Sequence, residues 1–220
     1  MTKLVENAYR DVNIAFANEL SMVADAMGLD VWEVISLANR HPRVNILSPG
    51  PGVGGHYIAV DPWFIVSSAP EQTPLIRTAR GVNDAKIHHT IARAAAMVGA
   101  HPQARVACLG LAFKANIDDF RESPARLVAA TLARRFGDRI AIVEPYAAEL
   151  PREFEGTGAT LVDLDAALET CGVLIVLVDH DLFRSVPLAE RMAKAVYDTR
   201  GIWPDQPGAE DEPEELRKAG

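Results

Sequence analysis

The 220-residue chain has no apolar run of membrane-spanning length, no lysine- or arginine-rich cluster, and two cysteines in all. Each shortage excludes something. The longest apolar stretch, around Val173–Val178, has the size of a buried strand, so no membrane span is expected. A net charge of −8 without basic clusters argues against a nucleic-acid binder. It leaves room for an anionic nucleotide, because a few local Lys and Arg can dominate one pocket. The opening Met-Thr-Lys-Leu-Val-Glu lacks a signal-peptide pattern. Cys108 and Cys171 lie beside or within apolar stretches and read as reduced core thiols, which points to a cytoplasmic protein. No internal repeat is visible. What remains, 49% hydrophobic and 24% charged residues, is ordinary for a globular chain of one large or two small domains.

Leu4, Ala8, Val12, Ala15, Phe16, Leu20, Val23 and Met27 recur at three- and four-residue steps, predicting one long helix that stops at Gly28. A helix of that length needs something to lie against, such as a second subunit. Asp30 can cap a short helix through Ala38, and Asp61-Pro62 reads as the N-cap and first residue of another through Ser67. A second long helical pattern runs from Pro74 to Val98 and ends at Gly99. From Arg105 the texture changes. Short strands at Arg105–Gly110, Arg139–Val143, Thr160–Val162, Gly172–Val178 and Ala195–Asp198 alternate with helices opened by Ser123-Pro124 and Asp163. That alternation predicts a parallel sheet. The expected division is a helical domain over 1–99, an α/β domain over 100–204 and a disordered acidic tail over 205–220.

Residues 49–65, Pro-Gly-Pro-Gly-Val-Gly-Gly-His-Tyr-Ile-Ala-Val-Asp-Pro-Trp-Phe-Ile, carry the densest chemistry. Glycine and proline fill most of the first seven positions, so the backbone can pass close to a ligand. His56, Tyr57 and Asp61 follow. Gly50, Gly52 and Gly55 satisfy the spacing G-x-G-x-x-G, but the dinucleotide fingerprint needs a strand before it and a helix opening at its last glycine. Neither is predicted there, and no better candidate occurs elsewhere. His56 by itself reads as a hydrogen-bonded loop histidine. His41 and His88-His89 have no carboxylate or thiol partners spaced for a metal site.

The 49–65 run resembles the catalytic loop of the UDP-glucose/GDP-mannose dehydrogenase family, with wording closest to the branch that acts on UDP-N-acetylmannosamine. Other segments resemble the family in the same order: Lys3 to Glu19, His41-Pro-Arg43-Val-Asn45, Gly110 to Pro124, and Asp198-Thr-Arg200-Gly-Ile-Trp203. The resemblance implies an α/β protein: an all-helical central dimerisation domain followed by a Rossmann-like parallel-sheet UDP-binding domain. It starts at the family's central helix, so the dinucleotide-binding half has no counterpart in these 220 residues. Family members use two NAD to oxidise a sugar alcohol to the acid, through an aldehyde, a cysteine thioester and its hydrolysis.

Carried over by position, Lys3 would polarise the reacting oxygen or shuttle its proton, and Asn7, one turn on, would hold the oxyanion. Asp61 would orient the hydrolytic water. Arg43 would reach a substrate, in its own subunit or across a dimer interface. Gly54 and Gly55 would shape the substrate pocket. Lys114 and Arg200 would pair with nucleotide phosphate or ribose, and Arg121 with the cofactor pyrophosphate. The plain alternatives are a solvated helix face for Lys3 and Asn7, a helix cap for Asp61, and ion pairs of Lys114 and Arg121 with Asp118, Asp119 or Glu122. Tyr57 stands where the family has its cysteine nucleophile, and a phenol cannot form the thioester. The resemblance therefore implies a chain that is inactive alone: a truncated homologue that still binds a UDP-sugar as a homodimer. The alternatives are half of a split enzyme with a separate NAD-binding polypeptide, and a non-catalytic interaction module.

Overall fold

The computed structural model of the chain describes residues 1–55 and 57–204; His56 and the expected acidic tail, 205–220, lie outside the described residues. Four helices come first: α1 (Thr2–Met27), α2 (Val31–Ala38), α3 (Asp61–Ser68) and α4 (Pro74–Ala100). Gly28 ends α1 in the left-handed region at φ 66°, and the following amide returns to the Ala24 carbonyl. The Asp30 carboxylate caps α2 by accepting from the Trp32 and Glu33 amides at 2.7 and 3.2 Å. Asp61 is not a cap. It is the first residue of α3, its amide bonding the Tyr57 carbonyl at 2.8 Å, and its side chain points elsewhere. Gly99 does not stop α4, which runs one residue further to Ala100.

α1 and α4 are the principal helical pair. Their contact faces are built of small and polar residues: Ala8, Asp11, Ala15, Asn18, Ser21 and Ala24 on α1; Ala79, Arg80, Asn83, Lys86 and Thr90 on α4. Alanines let the two backbones approach, and the polar side chains between them then bond one another instead of water. Arg80 donates to Asp11 at 2.5 Å and to Asp84 at 2.6 Å, and Asn83 donates to the Asp11 carboxylate at 2.8 Å. Asn18 donates to Asn83 at 2.9 Å. Burial still pushes the Asp11 carboxyl above its usual range despite Arg80 beside it.

The second part is a five-stranded sheet, β1 (Val106–Leu109), β2 (Ile140–Val143), β3 (Thr160–Leu161), β4 (Val173–Val176) and β5 (Ala195–Asp198). The order is β3-β2-β1-β4-β5 and every pairing is parallel. β1, β2 and β4 are buried along their whole length, as expected of strands covered on both faces. One face, through Val106, Cys108, Ile140, Ile142, Val173 and Ile175, packs on α5 (Pro124–Phe136) and on Ala94, Ala95, Met97 and Val98 of α4. The opposite face meets α6 (Leu164–Thr170), Phe183 of α7 (Asp181–Arg184) and Trp203. A last short helix, α8 (Leu188–Arg191), precedes β5. The long helix α4 is thus shared: its first turns face α1 and its last turns belong to the core of the sheet.

Both cysteines are free and buried. Burial pushes the Cys108 thiol up to about 12, so it stays protonated and inert. Among the described residues no helix is long and apolar enough to cross a membrane, and no three His, Cys, Asp or Glu are grouped to hold a metal ion.

Candidate functional site

Parallel sheets bind ligands beyond the carboxyl ends of their strands, where the strand order reverses. Here that point lies between β1 and β4. Gly110, just past β1, has φ 96°, and a side chain on it would run into Val178 just past β4. Only glycine permits that approach. The next two amides, Leu111 and Ala112, donate to one oxygen of Glu144 at 2.7 and 3.2 Å. The other Glu144 oxygen accepts from the Tyr146 amide at 3.1 Å. Burial alone would raise the Glu144 carboxyl, but the His180 bond and the backbone donors together hold it below its usual range.

His180 is fully buried between the Tyr146 and Phe183 rings, each 5.2 Å away. Its Nδ1 accepts from the Asn116 amide at 2.9 Å, so the ring proton sits on Nε2, which donates to Glu144 at 3.3 Å. Asn116 is in the left-handed region, φ 61°, and its side chain exchanges two bonds with Asp181, at 2.9 Å to the carboxylate and 3.1 Å from the amide. Lys114 is exposed on the same loop, between Phe113, whose amide bonds the Asp119 carbonyl at 3.2 Å, and the held Asn116.

Arg200 follows β5. Its backbone is held because Asp198 accepts from the amides of Arg200, Gly201 and Trp203 at 2.8 to 2.9 Å. Its Nε and Nη2 donate to one oxygen of Asp179 at 3.1 and 2.9 Å, while Arg184 takes the other Asp179 oxygen at 2.8 Å. Burial would raise the Asp179 carboxyl, but Arg200 first, with backbone and Arg184 bonds behind it, keeps it below the usual range. The remaining nitrogen, Nη1, faces Gly50, where any side chain would collide with it.

The glycine loop therefore lies on the strand ends. Its Gly50 amide is tied back to the helical pair through Asn18 at 3.0 Å. Gly54 has no room for a side chain against the Glu122 carbonyl and Pro124, and the Gly55 amide donates to Glu122 at 3.2 Å. Beyond the loop, Tyr57 is exposed, its carbonyl accepting the Val60 and Asp61 amides. The Asp61 carboxylate is buried and accepts from the Asn7 side chain at 2.5 Å. Lys3, one turn from Asn7, is exposed and 3.5 Å from Glu6.

The fold thus joins Asn7 with Asp61, and Gly50 with Arg200, across 54 and 150 positions of chain. It does not gather every expected residue. Arg43 is exposed, its amide bonded to His41 Nδ1 at 3.2 Å. Arg121 grips Asp119 with two bonds, 2.9 and 2.7 Å, inside its own loop. The G-x-G-x-x-G spacing lies between α2 and α3, not between a strand and a helix. Glu144, Asp179 and His180 went unrecognised in the sequence. Their signal is positional: polar residues directly after apolar parallel strands.

A family model described as "UDP-glucose/GDP-mannose dehydrogenase family, central domain" matches residues 1–85. A second, "UDP-glucose/GDP-mannose dehydrogenase family, UDP binding domain", matches 107–205. Similar curated proteins include an NDP-N-acetyl-D-galactosaminuronic acid dehydrogenase of Ralstonia nicotianae, 53% identical over 203 residues, which are 92% of this chain and 48% of that protein. A UDP-N-acetyl-D-mannosamine dehydrogenase of Salmonella typhi is 53% identical over 211 residues, 92% of this chain and 50% of its own length. Among solved structures, a UDP-D-ManNAc dehydrogenase from Pyrococcus horikoshii superposes with a TM-score of 0.76 at 33% identity, covering 92% of this chain and 48% of that one. The chain spans about half the length of the relatives it matches.

Proposed function

The chain belongs to the UDP-glucose/GDP-mannose dehydrogenase family, and from that premise we propose that its residues form the nucleotide-sugar side of such a site. Lys114 and Arg200 bind the UDP phosphates or ribose, Gly54 and Gly55 line the path of the sugar, and Lys3, Asn7 and Asp61 attend its reacting carbon. Both relatives quoted act on N-acetylated hexose derivatives by name, so a UDP-N-acetylhexosamine is the substrate class. The observation that carries this reading is the seat of the glycine loop over the carboxyl ends of the sheet, with Gly50 against the Arg200 guanidinium beyond β4 and β5.

Tyr57 limits the chemistry. With an ordinary side-chain pKa near 10 against about 8.5 for cysteine, a phenol is a poor nucleophile toward an aldehyde, and it cannot carry an acyl group as a thioester. NAD supplies the hydride acceptor in this family, but the described residues do not fit it. The glycine spacing has no strand before it, and the amides past β1 already serve Glu144. No hydride step is therefore assigned to these residues, and Arg121 remains a pyrophosphate contact by position only. The 220-residue chain by itself is expected to produce no NADH.

The homodimer forms through α1. Val5, Tyr9, Phe16, Val23 and Met27 are exposed along it at near-heptad steps, opposite the face that α4 covers. Arg43 would then reach toward the partner's site. The test is calorimetric titration with UDP and UDP-N-acetylhexosamines. Binding in the micromolar to low-millimolar range is expected, and no heat at millimolar ligand would sink the reading.

A further inference from the structure

Two cations are assigned to the nucleotide above, and both are reached from a single dipeptide at the end of β4. Asp179 accepts the Nε and Nη2 hydrogens of Arg200 on one oxygen, so the guanidinium is turned with Nη1 toward the glycine loop. Arg184 holds the second oxygen and keeps the Asp179 carboxylate from rotating away. His180, the next residue, accepts the Asn116 amide and passes its own Nε2 hydrogen to Glu144. Glu144 in turn gathers the Leu111 and Ala112 amides. The loop carrying Lys114 is thus fastened to His180 directly at Asn116, and through Glu144 at 111–112.

The backbone of that loop needs fastening. Asn116 sits at φ 61°, a region that costs a non-glycine residue free energy unless its surroundings impose it. The Nδ1 acceptor and the Asp181 exchange are what impose it. A fully buried histidine on a fully satisfied chain of bonds has one ring orientation, and it transmits that orientation to the loop. Asp179 and His180 therefore face in two directions just past β4, one toward the Arg200 guanidinium and the other toward the backbone of the Lys114 loop at Asn116.

We propose that Asp179-His180 is the positioning element for the phosphates of a nucleoside diphosphate, aiming Arg200 at them through Asp179 and the Lys114 loop through His180. Neither residue needs to touch the ligand. The inference rests on the UDP-binding reading above and adds to it the residues that hold its cations in place.

The test is titration of the whole chain with UDP and, separately, with uridine, which lacks the phosphates. Asp179→Ala and His180→Gln are expected to weaken UDP about tenfold or more, while uridine affinity stays within about twofold. Conservative variants restore part of the loss. Asp179→Asn retains an acceptor for Arg200, and His180→Asn places an amide oxygen near Nδ1 for the Asn116 hydrogen. Thermal melts accompany each variant, and where a larger substitution unfolds the chain the two asparagine variants carry the same comparison against the unsubstituted protein. UDP affinity unchanged in all variants, or UDP and uridine weakened in parallel, overturns the proposal. Failure of the unsubstituted chain to bind UDP overturns instead the function on which the proposal stands.

Discussion

Lys86 is an ammonium group in the α1–α4 seam, almost fully buried, donating to the Ser21 hydroxyl at 2.8 Å. Burial brings its pKa down from 10.5 to about 8, with Asp25 opposing that fall and Arg93 adding to it. The unfolded chain therefore binds more protons than the folded one between about pH 8 and 10.5. Stability contributed by this group must rise with pH across that window, and the full penalty is felt below it. Lys86→Met keeps the apolar stem and removes the charge. It should raise stability at pH 7 by up to about 3 kcal/mol, less the lost Ser21 bond, seen as a higher melting temperature, and give a much smaller gain at pH 10. Melts of both proteins at the two pH values check this, and an equal gain at both would contradict it. Tyr57 is the opposite kind of residue. It is exposed, so on the function proposed for it Tyr57 bears on reactivity and not on the fold.

At the scale of elements, α1 has two faces with different duties. The inner face is small and polar and fits one partner, α4, through bonds such as Asn18 to Asn83 and Arg80 to Asp11. The outer face is apolar, and none of the described residues covers Val5, Tyr9, Phe16, Val23 or Met27. An exposed stripe along 26 helical residues is the wrong surface to leave in water. Light scattering should give a dimer mass for the unsubstituted chain, and Phe16→Glu should shift it toward the monomer with the far-UV spectrum retained. A monomer before substitution would remove α1 as the interface. The element next to it, α3, is set by the same economy of bonds. Its first residue turns its carboxylate away from its own helix amides and onto Asn7, joining two helix starts beside Tyr57.

For the whole molecule, several ties among the described residues bind the helical part to the sheet. Ala94, Ala95, Met97 and Val98 of α4 are buried in the core of the sheet. The glycine loop meets Arg200 and Glu122, and Gly201, at φ 61°, packs on the Trp32 indole with no space for a side chain. A hydrophobic core that shares a helix with its neighbour should not unfold separately from it. Thermal unfolding followed by far-UV circular dichroism and by tryptophan fluorescence is expected to give coincident single transitions. Two resolved midpoints would show that the last turns of α4 do not couple the parts.

Local pattern alone determined the long helices and the strands, though not the short helices α7 and α8. Three- and four-residue apolar steps set the long helices, and apolar runs between turn residues set the strands, because helix and strand formation are decided by near neighbours. The glycine loop and its family wording were legible for the same reason, being contiguous. The partners were not. Asn7 meets Asp61 across 54 positions, Glu144 meets His180 across 36, and Asn116 meets His180 across 64. No periodicity encodes such pairs, since they depend on where two strands end side by side. Sequence could thus name Asp61 as a helix cap, which it is not, but not the bond it makes to Asn7, and Arg200 as a cation but not the carboxylate that aims it. The tertiary path decided those, because only burial in one place forces distant polar groups to satisfy one another.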